Sequence, residues 1–177
     1  MVWVLLDLEG DAEATREAAT SAIETGVDGM LVGEGETELV SSLSRLPVVE
    51  RRGDRLFEEG ARTGDVVEVA SRGDVERAIG LLGKGRVVLI ETPDWTVIPL
   101  EDLVAARHGE SLSGLALALV DGVEDARLAL GALEHGVDGV VVRVPAGSVT
   151  VERVGPADPE EKGTYRPMSP DDRLRGE

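Results

Sequence analysis

The densest group of reactive side chains in this sequence follows one apolar run, Val87 to Ile90. Glu91, Thr92, Asp94 and Trp95 come within five residues of that run. Loss of water at the end of an apolar strand would favour the neutral form of Glu91, which suits a carboxyl group to proton transfer. A structural hydrogen bond is the other role open to Glu91. Trp95 offers a flat apolar wall to a ring, or it simply covers the end of the fold.

Charged residues also follow the other predicted strands. Because the carboxyl ends of parallel strands meet at one edge, these groups should face a common site. Arg143 directly follows a buried strand and is the best placed to hold a substrate carboxylate through two hydrogen bonds, although a rim ion pair is equally compatible. A metal held by the acidic members is less favoured than an effect of composition, and we predict none. With the uncharged Gly33 and Trp95, the residues at the predicted strand ends are Asp7, Glu9, Gly33, Glu34, Arg51, Arg52, Glu91, Asp94, Trp95, Asp121 and Arg143.

A repeat indicates which elements position these groups. Residues 22–29 recur as residues 132–139, each copy reading helix, Gly-Val-Asp-Gly turn and apolar strand. We interpret both turns as structural, because they precede strands, whereas sites in α/β proteins lie beyond strand ends. The alternation of strands and helices predicts an α/β fold, a small or incomplete TIM-like barrel of about seven mostly parallel strands. A doubly wound open sheet is the alternative, and pairing of the first strand, Val2 to Leu8, with the last, Val140 to Val144, would decide between them.

The bulk composition restricts the function. The chain has 177 residues, with 18 basic and 35 acidic side chains and a net charge of −17. Such a charge repels nucleic acid and anionic membranes. The absence of cysteine excludes disulfides and thiolate chemistry. No apolar run is long enough for a membrane span or a signal core, so we expect a cytoplasmic protein.

The composition changes near the carboxyl terminus. Five of the eight prolines occur from Pro145 onward, among many charges. We therefore predict a β/α domain over residues 1–145, an additional strand within 146–154 and a flexible, disordered tail over 155–177.

Residues 94–105, DWTVIPLEDLVA, carry a family resemblance. They are similar to the signature DWxxIPLENLIA of the type II 3-dehydroquinate synthases, with Asp102 in place of the asparagine. The resemblance extends over about Val2 to Val154 and is strongest from Ile90 to Ala106. It implies an NAD-dependent enzyme that oxidatively deaminates an amino-dideoxy-heptulosonate and closes the product to 3-dehydroquinate, in aromatic amino acid biosynthesis.

From the signature and the strand ends together, we expect catalytic roles for Glu91, Asp94 and Glu101, and substrate-binding roles for Asp7, Trp95 and Arg143. The cofactor-binding residues are not identified. Gly33-x-Gly35 leads into glutamates that would repel a pyrophosphate, so it does not satisfy the dinucleotide fingerprint.

Members of this family continue into a second, β-rich domain, and residues 146–154 correspond to its start. We therefore expect little turnover from this chain alone, and as partners a small-molecule substrate with either a second copy of the chain or a separate second-domain polypeptide. Two other functions remain open: a non-catalytic binding or assembly domain of the same fold, and a sugar-phosphate lyase or isomerase.

Overall fold

The fold is a closed barrel of eight strands that follow one another in sequence order. It was obtained as a computed structural model, which describes residues 1–6, 11–92, 112–122, 125–126 and 137–144. The strands are β1 (Val2–Leu6), β2 (Gly29–Val32), β3 (Val48–Arg52), β4 (Arg55–Glu58), β5 (Ala61–Glu68), β6 (Val87–Glu91), β7 (Leu115–Val120) and β8 (Gly139–Val144).

Closure is made by the first and last strands. β1 pairs in parallel with β8 from Val2 opposite Val140 to Leu6 opposite Val144, and with β2 on its other side. This pairing excludes the open doubly wound sheet and confirms the TIM-like barrel. Closure also removes the unpaired backbone groups that an edge strand would expose.

One hairpin interrupts the alternation of strands and helices. β4 runs antiparallel to both β3 and β5, and the other strand pairs are parallel. Gly53 and Gly60 have positive φ angles of 61° and 80° at the two turns, a conformation that glycine adopts without strain. A strand in the charged segment 51–64 was not expected from the sequence. The hairpin supplies a strand without a helix, which is how a short chain completes eight strands instead of about seven.

Three helices are described, and each follows a strand. They are α1 (Ala12–Thr25), α2 (Thr37–Ser41) and α3 (Arg72–Leu82). Asp11 is the N-cap of α1, and its carboxylate accepts hydrogen bonds from the N–H groups of Glu13 and Ala14, at 3.1 and 3.0 Å. Within the described residues, no helix combines the length and the apolar character needed to cross a membrane.

The apolar residues form an inner and an outer layer. Alternate residues of the strands fill the barrel interior, among them Leu5, Leu31, Val49, Leu89 and Val141. The intervening residues face outward, where those of β1 and β2 pack against the alanines of α1 and those of β5 and β6 against α3. The strands are thus apolar on both faces, which explains why their sequences lack alternation.

The two Gly-Val-Asp-Gly turns perform the same structural task. The Asp28 carboxylate accepts a 2.7 Å hydrogen bond from the N–H of Val2, and the Asp138 carboxylate accepts one of the same length from the N–H of Ala116. Each aspartate therefore ties the start of its own strand to the start of the neighbouring strand. The structural interpretation is confirmed for the first turn and for the described part of the second, from Val137 to Gly139.

Candidate active site at the carboxyl ends of the strands

The candidate site is a layer of charged side chains at the carboxyl ends of the parallel strands. Arg51, Glu91 and Arg143 each lie two residues beyond an inward-facing apolar residue of the same strand. Side chains alternate between the two faces of a strand, so all three belong to the inner face of the barrel. The charged layer therefore lies directly above the apolar interior, at the end where sites of such barrels occur.

The central contact of this layer is a two-pronged ion pair. Arg51 donates from Nη1 to Oε1 of Glu91 at 2.6 Å and from Nη2 to Oε2 at 3.2 Å. Its Nε donates to the carbonyl oxygen of Gly53 at 3.1 Å. The two side chains are 27% and 22% exposed, so solvent screens the pair only in part. Arg51 thus fixes both oxygens of the Glu91 carboxylate.

Arg143 extends the ion pair across the mouth of the barrel. Its Nη2 lies 3.6 Å from Oε1 of Glu91, and its Nε lies 3.1 Å from Oδ1 of Asp121. Arg143 is 45% exposed, more than Arg51, so it is the guanidinium that a ligand from solution meets. The ion pairs therefore link four side chains of alternating charge at this mouth, in the contact order Arg51, Glu91, Arg143 and Asp121.

The structure brings together two of the six residues that we expected from the sequence to act in the site, Glu91 and Arg143. The other four, Asp7, Asp94, Trp95 and Glu101, lie outside the described residues.

Arg51 and Asp121 stood among the strand-end groups, but we did not assign them a role. Arg51 can be identified from its position two residues after the inward-facing Val49, which places both side chains on the same face of β3. This argument requires that β3 extends as far as Arg52, which the structure establishes.

The turn between β2 and α2 is closed by two carboxylates, those of Glu36 at the start of α2 and Glu50 on β3. The N–H of Gly33 donates to Glu36 at 3.1 Å, and the N–H of Gly35 donates to Glu50 at 2.7 Å. Glu36 also accepts from the buried hydroxyl of Thr15 at 2.9 Å. The amides that would hold a phosphate are thus already bonded to carboxylates, so this turn does not fit a pyrophosphate.

Glu50 is ionised despite its burial. Burial opposes the charge, but the hydrogen bonds from Gly35 N–H and from Arg52, together with the Arg52 charge, outweigh it and hold the pKa of Glu50 below its usual value. The guanidinium of Arg52 lies 4.7 Å from the centroid of the Phe57 ring, which supports its position on the outer face of the hairpin.

The described residues contain no group of three or more histidine, cysteine, aspartate or glutamate side chains placed to hold a metal ion. Charge in this part of the site is instead balanced by guanidinium groups.

The family model for the 3-dehydroquinate synthase II N-terminal domain matches residues 1–153. The chain belongs to the 3-dehydroquinate synthase II family. All eight strands of the barrel and the charged layer at their carboxyl ends lie within the matched residues.

Two relatives illustrate the likeness. A 3-dehydroquinate synthase of Archaeoglobus fulgidus is 38% identical over 141 residues, which cover 80% of this chain and 38% of the relative. A 3-dehydroquinate synthase homolog of Aquifex aeolicus is also 38% identical, over 131 residues that cover 72% of this chain and 36% of the relative. The chain thus spans under two fifths of the length of these 3-dehydroquinate synthase relatives.

Proposed function

We propose that this chain supplies the substrate-binding barrel of a type II 3-dehydroquinate synthase. The reaction would be oxidative deamination of an amino-dideoxy-heptulosonate, followed by ring closure to 3-dehydroquinate. The proposal is supported by family membership and by the charge pattern at the carboxyl ends of the strands.

The alternating charges of the rim carry the proposal. The substrate has an amino group next to its carboxylate, so its head presents one positive and one negative group a few ångströms apart. A guanidinium flanked by two carboxylates complements such a head, because it can hold the substrate carboxylate while a neighbouring acid holds the ammonium. Arg143 has such an arrangement, because its Nη2 approaches Glu91 and its Nε approaches Asp121.

The ion pair with Arg51 holds the Glu91 carboxylate in a fixed orientation toward the substrate in this scheme. A carboxylate bonded through both oxygens to one guanidinium has a fixed plane, and it retains free lone pairs that can accept a proton or an N–H from the substrate. Asp94 and Glu101 as further catalytic groups, and Asp7 and Trp95 as further substrate contacts, stay predictions from the sequence.

NAD is the cofactor that the proposed reaction requires, and it would accept a hydride from the carbon that bears the amino group. The β2–α2 turn does not fit its pyrophosphate, because Glu36 and Glu50 already occupy the amides of Gly33 and Gly35. We therefore assign no described residue to NAD.

Binding of the substrate to this chain, followed by calorimetry, tests the proposal. Arg143→Met should weaken binding by about tenfold or more, because a hydrogen bond between charged groups contributes about 1.5–3 kcal/mol. Arg16→Met, an exposed change on α1, is the matched control and should leave binding unchanged. Equal affinities of the wild-type chain and the Arg143→Met variant would refute the assignment.

The same samples distinguish the second candidate, a non-catalytic binding or assembly domain. That candidate is favoured by the β2–α2 turn, where the amides of Gly33 and Gly35 are already bonded to carboxylates and do not fit the pyrophosphate of NAD. The wild-type chain is assayed for substrate binding and NADH formation, alone and after the remainder of a family member is added. Binding without NADH formation by the chain alone, together with turnover after that addition, would place the binding function in this chain and the redox step elsewhere.

A further inference from the structure

A cavity lies at the amino-terminal mouth of the barrel, opposite the charged layer. It has a volume of about 170 Å³ and is lined by apolar side chains of the inner layer, including Trp3, Leu31 and Leu117. Met1 and Leu115, which are 45% and 39% exposed, also line it and connect it with the surface. An apolar cavity of about 150 Å³ is large enough to hold a benzene ring.

Three described residues of the lining carry polar side-chain atoms: Glu58, Thr63 and Trp3, whose buried indole N–H has no hydrogen-bond partner among the described residues. Among the described residues of the lining, Glu58 at the end of β4 is the only charged side chain and Thr63 on β5 is the only one with a hydroxyl group. Glu58 makes no ion pair with any residue that the structure describes. The α-amino group of Met1 lies at the same mouth, where it donates to the carbonyl oxygen of Asp138 at 3.4 Å. The cavity thus presents one unpaired negative charge beside an apolar chamber.

We propose that the amino-terminal mouth is a second ligand site, which binds a small primary amine that carries one compact apolar ring. The ring would occupy the apolar chamber, and the ammonium would lie at the rim beside Glu58.

This site is distinct from the charged layer at the other end. Leu31, Val49, Leu89 and Val141 line the cavity, and each lies two residues before the residue at the carboxyl-terminal mouth on its own strand. One layer of side chains therefore separates the two sites, so a ligand in the cavity makes no contact with Arg143.

The test uses two probes of nearly equal shape, benzylamine and benzyl alcohol, titrated into the full chain. Nuclear magnetic resonance of the indole N–H groups reports the location, because the chain has two tryptophans and Trp3→Phe identifies the resonance of Trp3. We expect saturable shifts of the Trp3 resonance with both probes. Benzylamine should bind about twofold to fivefold more tightly, as is typical of an exposed ion pair.

Glu58→Gln is the decisive variant. Glu58 is exposed, so the change should not affect folding, and it should abolish the preference for the amine while leaving the affinity for benzyl alcohol unchanged. Val87→Phe places a larger side chain of β6 in the cavity and should weaken the binding of both probes. If that variant does not fold, Leu115→Trp at the rim serves the same purpose.

Two results would overturn the proposal. Absence of saturable shifts at Trp3 would mean that the cavity is an ordinary void of the core. Equal affinities for the amine and the alcohol, or an amine preference that persists in Glu58→Gln, would mean that the glutamate does not select the ligand.

Discussion

The ion pair between Arg51 and Glu91 should be measurable as a coupling free energy. The perturbation is a double-mutant cycle with Arg51→Met, Glu91→Gln and the two combined. Each side chain is about three quarters buried, and two hydrogen bonds join them. Exposed pairs contribute about 0.2–1 kcal/mol and breaking a fully buried pair costs about 3–5 kcal/mol, so we expect a coupling of about 1.5 kcal/mol.

A second cycle with Arg143→Met provides the comparison. Arg143 approaches Glu91 at 3.6 Å and is 45% exposed, so its coupling to Glu91 should be about 0.5 kcal/mol or less. Both cycles remove one arginine from the neighbourhood of Glu91, so the loss of a positive charge is common to them. The difference between the two coupling free energies therefore reports the geometry of the Arg51 contact.

Urea unfolding of the full chain at neutral pH gives the free energies for both cycles. The measurement is repeated at about 1 M salt, where screening acts over about 3 Å and should reduce the Arg143 coupling proportionally more than the Arg51 coupling. A coupling of Arg51 to Glu91 that is no larger than that of Arg143 would refute the inference that Arg51 fixes the carboxylate.

Three further predictions concern the parts of the barrel that hold this layer. Gly29→Ala should destabilise the chain by about 1–3 kcal/mol, because its Cβ would lie 2.5 Å from the indole of Trp3, whereas Gly80→Ala on α3 meets nothing within 4 Å and should stabilise it by about 0.5–1 kcal/mol. Thermal unfolding checks both, and destabilisation by both would contradict the steric argument. Asp28→Ala should cost about 1 kcal/mol in urea unfolding and Asp28→Asn clearly less, since an amide oxygen can still accept the hydrogen bond from β1; equal losses would contradict that role. The pKa of Glu50 is lowered in the folded state, so Glu50 contributes stability that is present above its unfolded pKa, near 4.3, and is lost as the pH falls through the folded value. Glu50→Gln should therefore flatten the stability profile below about pH 4.5, and an unchanged profile would exclude Glu50 as the source.

The sequence by itself determined the class of fold and the family. Unbroken apolar strands, an acid-capped first helix and the repeated Gly-Val-Asp-Gly turns are local patterns, and each reports a local structure that the barrel retains. The signature at residues 94–105 determined the family likeness, because a long run of unusual residues carries that information without any knowledge of the fold.

The tertiary structure decided whether the sheet closes into a barrel and which charged side chains contact one another. Whether β1 meets β8 depends on the sum of many strand twists and on the hairpin at β4, and the sequence of that hairpin is as polar as a loop. The partner of Glu91 depended on this closure, because Arg51 lies forty residues away and reaches it only across the mouth of the barrel. A sequence indicates which groups end each strand, but the geometry of the closed barrel determines which of these charges lie within bonding distance.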